Sequence, residues 1–150
     1  MKKKWIFIIL LVLLVLVQFI RIDKTHPDID KNKDFISLTN PPQEIAKMIK
    51  TSCYDCHSYE SKYPWYAEVA PVSWYLKNHI NEARERVNFS EWADYTKEKA
   101  ARKLHACAED VDEEEMPLSS YTFVHGKASL NKEQIKQLSN WFADQAKLEK

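Results

Sequence analysis

Apolar side chains run from Trp5 to Ile20, interrupted only by Gln18, with Lys2, Lys3 and Lys4 before them and Arg21 after them. As a helix, sixteen such residues span roughly 24 Å, the short end for a hydrocarbon core of about 30 Å. Phe19-Ile20-Arg21-Ile22-Asp23 is a poor cleavage context, and no Cys directly follows the run to take a lipid. The pattern predicts an uncleaved signal-anchor transmembrane helix over 1–21, its lysines cytoplasmic and Trp5 at the interface. A cleaved secretion signal is the alternative. Under either reading the rest of the chain is exported. A retained helix makes a single-pass protein of the cell membrane, with its C-terminal domain on the periplasmic, extracytoplasmic side.

Residues 22–42 are polar, with four Asp, His26-Pro27 and Asn40-Pro41-Pro42. They predict an extended tether. From residue 43 the apolar period becomes helical. Ile45, Met48 and Ile49 follow the Pro41-Pro42 start signal up to Thr51. Val72, Tyr75, Leu76, His79, Ile80, Ala83 and Val87 form a long stripe after Pro71, and Ala101, Leu104, Ala108 and Val111 a thinner one. The last helix has the clearest start: Asn131 caps, Gln134 sits three on, and Leu130 and Ile135 suit a hydrophobic staple. Ile135, Leu138 and Phe142 then share a face. No period-2 strand and no internal repeat stand out. The expectation is an all-α domain over 43–150 with aromatic-rich connections.

Composition narrows the function classes. Lys+Arg and Asp+Glu are both 22 in 150 residues, which excludes a strongly basic nucleic-acid binder. The single Gly, Gly126, excludes Gly-rich phosphate loops. Three Cys, an odd number, suit a pure disulfide framework poorly. Zero net charge hides a basic head, with seven bases against four acids in 1–42, and an acidic body, with 15 bases against 18 acids in 43–150.

Cys53-Tyr54-Asp55-Cys56-His57 is a Cys-x-x-Cys-His run, the attachment signature of c-type haem. Two thiols three positions apart fall on one side of a helical turn, where both reach the vinyl groups of one porphyrin. His57 then turns its imidazole under the iron. A structural zinc site would want four Cys/His ligands, and the chain offers no second close pair. A thioredoxin-like dithiol would sit beside a βαβ pattern, which is missing. The expected cofactor is one covalent haem c, through Cys53 and Cys56, with His57 as proximal ligand. Cys107 reads as a small buried residue beside Leu104 and Val111.

The sixth iron position has several candidates. Met116 precedes Pro117, which disfavours helix there and lets the thioether leave the helix surface. Met48 lies on the apolar face of its helix and reads as core. His79, on the stripe of its helix, and His125, next to the only Gly, are alternatives to Met116. His105 reads as surface, and His26 lies in the tether. Six acids in seven positions, Glu109 to Glu115, read as a solvated face that could steer a basic partner. Tyr63, Trp65, Tyr66, Trp74 and Tyr75 are candidates to line a macrocycle, or ordinary packing.

Cys53 to His57, Tyr63-Pro64-Trp65-Tyr66, Pro71-Val72-Ser73-Trp74, His79-Ile80, Asn88-Phe89-Ser90-Glu91-Trp92, Glu115-Met116-Pro117-Leu118, Tyr121-Thr122, His125 and the Leu130 to Trp141 segment together resemble the bacterial haem-binding domain family. Its members are small exported proteins with one Cys-x-x-Cys-His. The layout is also similar to that of small class I cytochromes c. The resemblance implies a cytochrome c-like fold over about 41–143, thioethers at Cys53 and Cys56, His57 as proximal ligand and Met116 as distal ligand.

The function expected is a membrane-anchored monohaem cytochrome that carries single electrons to redox protein partners, more an electron carrier than an enzyme. A haem-based sensor or peroxidase-like enzyme with a displaceable sixth ligand, and a haem-free zinc-binding module, are the alternatives.

Overall fold

The computed structural model describes residues 2–148; Met1, Glu149 and Lys150, at the ends of the expected first and last segments, lie outside them. Among the described residues all regular structure is helical, with no strand, as the periodicity predicts.

The expected membrane-spanning helix is overturned. The first helix, α1 (Lys2–Val17), is 16 residues long, and no helix among the described residues is long and apolar enough to cross a membrane. The lysines occupy its first turn, and the helix stops before the apolar run does. Its wholly apolar part, Trp5 to Val17, covers only roughly 20 Å. The following residues dock on the body of the protein. The Gln18 side-chain amide exchanges two hydrogen bonds with the Ala70 backbone, at 3.0 and 2.9 Å. Arg21 pairs with Glu68 at 2.8 Å, and Trp74 Nε1 donates to the Ile20 carbonyl at 3.0 Å. The single-pass anchor and the cell-membrane localisation built on it fall together.

Within 22–42 the chain forms one short helix, α2 (Phe35–Thr39), capped by Asp34, whose carboxylate accepts from the Ser37 amide at 3.2 Å. This cap delivers Phe35 into the centre of the molecule. Phe35 is fully buried, with ring centroids 4.5 Å from Trp92, 5.0 Å from Phe89 and 5.8 Å from Trp141. The next helix, α3 (Gln43–Ser52), turns Ile45, Met48 and Ile49 inward at i, i+3, i+4. A single turn, α4 (Tyr54–His57), follows it directly.

Two long helices close the core. Helix α6 (Lys97–Asp112), capped by Thr96, packs against α8 (Lys132–Leu148) in the largest interface of the fold. Ala100, Leu104, Ala108 and Val111 share one buried cluster with Leu138, Phe142 and Ala146, the alanines allowing close approach. The α8 start is a reciprocal capping box, Asn131 and Gln134 each donating a backbone N–H to the other's side chain at 2.9 Å. Each large side chain buried here contributes about 1.5–3 kcal/mol.

Helices α5 (Val72–Arg86) and α7 (Ser119–Val124) bury far less. Helix α5 buries Ser73 and Ile80, while Val72 and Tyr75 of its predicted stripe stay 47 % and 61 % exposed. Helix α7 buries no residue. Short 3-10 segments at Trp65–Glu68, Phe89–Asp94 and Gly126–Ala128 make the connections.

Candidate haem site

The Cys-x-x-Cys-His run sits on a kink. Cys53 leaves helical geometry (φ −121°, ψ −39°) between α3 and α4, and its carbonyl accepts from both the Cys56 and His57 amides, at 3.1 and 2.9 Å. The two intervening residues hold the turn from opposite sides. Tyr54 is buried, stacks on Phe89 with centroids 5.4 Å apart and donates its hydroxyl to Asp34 at 2.9 Å. Asp55 accepts from the Tyr121 hydroxyl at 2.7 Å and from the Lys62 amide at 3.1 Å. Burial, and then the Asp34 and Asp55 carboxylates, push both phenols well above their ordinary values.

His57 is fixed in one tautomer. Its Nδ1 lies 3.0 Å from the Ala83 carbonyl and 3.2 Å from the Val87 carbonyl. Carbonyls only accept, so Nδ1 carries the proton and Nε2 the lone pair. Burial holds the imidazole below its usual value, in the neutral form that binds metals. A ligand histidine commonly anchors its other nitrogen on a carbonyl in this way.

Two cavities of about 500 and 520 Å³ flank this ring. His57, Ser52, Arg86, Asp110 and Met116 line both. Cys53 opens on the first and Cys56 on the second, so the two motif thiols bracket the cleft. The first is walled by Val87, Phe89, Val111 and Phe142, the second by Ala83, Pro117 and Leu118. Volumes of about 300–1,000 Å³ with mostly apolar walls are typical of cofactor sites. Burial raises the thiol values, Cys56 to about 11 and Cys53 further, which keeps both protonated near neutrality.

Met116 reaches the cleft through the end of α6. Glu114 takes a left-handed conformation (φ 58°) and its amide bonds the Val111 carbonyl. The Met116 amide then returns to the Asp110 carbonyl at 2.9 Å. Of the histidine alternatives, His79 lines the second cavity, half-buried against Tyr75 with centroids 4.0 Å apart. His125 lines neither cavity; it stacks on Tyr121 and holds the Tyr66 hydroxyl at 2.8 Å. Met48 is core, and His105 is on the surface beside Glu109.

Three features differ from the sequence reading. Tyr63, Trp65, Tyr66, Trp74 and Tyr75 line neither cavity, and Trp65 is 78 % exposed; Phe89 and Phe142 provide the aromatic walls instead. Cys107 is half-buried and lines the first cavity, its thiol pushed up to about 12 by burial. Ser52, just before the motif, buries a hydroxyl without a hydrogen-bond partner at the cleft. Among the described residues no group of three or more His, Cys, Asp or Glu is placed to hold a bare metal ion.

The residues present fit a haem. One neutral imidazole offers a lone pair, a thioether shares its cavities, two thiols flank them, and a buried hydroxyl there lacks a partner. No curated protein and no solved structure matches the chain. The sequence pattern of the haem-binding domain does match it, over residues 12–144. With nearly its whole length inside that pattern, the chain belongs to the haem-binding domain family and is a haem-binding protein.

Proposed function

We propose that the chain is a monohaem c-type protein that carries single electrons. Cys53 and Cys56 form the thioethers, His57 is the proximal ligand and Met116 the distal one. The observation that carries the reading is the His57 ring, tied through Nδ1 to two backbone carbonyls beside a cleft that both motif thiols border. Haem supplies a metal that changes oxidation state by one electron.

The chain's own groups do the rest. Cys53 and Cys56 would hold the haem as thioethers, each S–H adding across one vinyl double bond, which would need no oxidant and release no leaving group. The carbonyls of Ala83 and Val87 hold the Nδ1 proton and keep Nε2 free for iron. Met116 contributes a soft, neutral donor, and His/Met ligation raises the potential above that of a bis-His site. Val87, Phe89, Val111 and Phe142 exclude water from one side of the cleft. Glu82, Glu114 and Glu115 border the other, beside exposed Leu118, and suit a basic redox partner with an apolar contact surface.

Protein produced with cytochrome c maturation machinery is expected to exceed its polypeptide mass by one haem. Cys53→Ala with Cys56→Ala is expected to abolish that increment and the haem stain on a denaturing gel. A polypeptide-only mass from the unmutated chain would overturn the c-type assignment.

A further inference from the structure

The two mouths of the cleft carry opposite charge. Arg86 and Asp110 line both cavities; the first adds Lys99, Arg102 and Lys103, whereas the second adds Glu82, Glu114 and Glu115. Lys99, Arg102 and Lys103 lie at i, i+3 and i+4 on α6, so they share one face. Arg86 ends α5, and Lys103 donates to its carbonyl, tying the two helices together at the rim. Among the described residues, none of these four cations forms an ion pair with a carboxylate, although five other Lys and Arg side chains do. Burial and then the Lys99 and Arg102 charges hold the Lys103 ammonium below its ordinary value.

Four cations on one rim, Lys99 and Lys103 also lying over the Tyr95 ring, make its potential positive, which suits an occupant that brings negative charge. Haem has one edge that does, with two ionised propionates. Apolar walls would leave those carboxylates desolvated, and charge-assisted bonds to Arg and Lys compensate for that. The opposite mouth, bordered by three glutamates, would repel them.

We propose that Arg86, Lys99, Arg102 and Lys103 form the propionate-binding site and so set the direction in which the macrocycle enters the cleft. This rests on the assignment of the cleft to haem. The carboxylate edge then faces the α5–α6 junction, and the acidic second mouth stays with the distal side for a partner. Lys99, Arg102 and Arg86 are exposed, so neutralising them leaves the packed core untouched.

The test uses the full-length haem-free chain and two probes: iron mesoporphyrin, which has no vinyl groups for the thiols to attack, and its dimethyl ester, which lacks the charge. Soret titration of the unmutated chain is expected to show at least about tenfold tighter binding of the acid than of the ester, the order of one charge-assisted contact. Lys99→Ala with Arg102→Ala is expected to remove most of that preference and leave ester affinity unchanged, which also reports an intact cleft. Equal affinity of the unmutated chain for acid and ester overturns the proposal while leaving the haem assignment standing. So does a double variant that keeps the preference. If neither porphyrin binds the unmutated chain, the haem assignment fails and the proposal with it.

Discussion

The half of the molecule that presents the motif and the half that closes over it are built differently. Around Cys53 and His57, α2, α3, α6 and α8 bury Phe35, Ile49, Tyr54, Leu104, Leu138 and Phe142 almost completely. Around the second cavity, α7 buries nothing, Phe123 is 92 % exposed, and order depends on pairs such as Tyr121 with Asp55 and Tyr66 with His125. Apolar burial sums over many contacts and stands without a ligand, whereas isolated polar contacts at a surface contribute about 0.5–1.5 kcal/mol each. The first half is therefore a preformed platform, and the second is held by a few polar pairs.

The comparison is broken most severely from the platform side. Phe142→Ala removes a fully buried ring from both the α6–α8 interface and the cleft wall. It is expected to cost about 3–5 kcal/mol of unfolding free energy, read from the denaturant midpoint of the haem-free chain. A loss below about 1 kcal/mol would mean that the platform is not preformed.

Met116→Ala acts on the closing half. It is expected to open the iron to cyanide and lower the reduction potential, with a stability loss in the haem-free chain of only about 1–2 kcal/mol, because Met116 is half-buried. If His79→Ala alters spectrum and potential instead, His79 holds the sixth position.

Acid sharpens the contrast. Burial keeps folded His57 neutral to lower pH than its unfolded counterpart, which takes its proton near 6.5. The unfolded chain then binds more protons as pH falls below about 6.5, so the haem-free platform loses stability in that window and gains nothing above it. Denaturant midpoints on either side of about pH 6.5 are expected to differ more in the unmutated chain than in His57→Gln. Equal pH dependence in both would contradict the burial argument.

The smallest effect is expected for Tyr121→Phe, which removes one bond to Asp55. About 1 kcal/mol of local stability should be lost, read as faster amide exchange in 119–125 while α6 and α8 stay protected. Exchange rising equally in α8 would show that the two halves unfold as one.

Much of the platform was legible because it rests on local rules. The Asn131 and Gln134 box, the Leu104 to Val111 stripe and the inward Met48 all follow helical period or capping chemistry. Phe35 was not legible: it stands alone after four Asp, and only tertiary contact with Phe89 and Trp92 makes it core. The stripe of α5 misled for the converse reason, since period marks a face but not whether anything covers it. The run from Trp5 to Ile20 misled because hydropathy does not register where the helix ends or that Gln18 binds Ala70. The motif was visible as spacing. The carbonyls that orient His57, and the cations on α6, meet at the cleft only in the folded chain, where both α5 and α6 border it.

The bond from Tyr54 to Asp34 has a consequence in time. It joins residues 20 apart, both on the N-terminal side of α5, α6 and α8. Closing a loop that short costs little chain entropy, and each doubling of length adds only about 0.6 kcal/mol. The Cys53 to His57 turn can therefore form while the chain is still emerging, before the helices that wall the cleft have been made. Once α6 and α8 have packed, Cys53 and Cys56 are half-buried at the walls of the cleft.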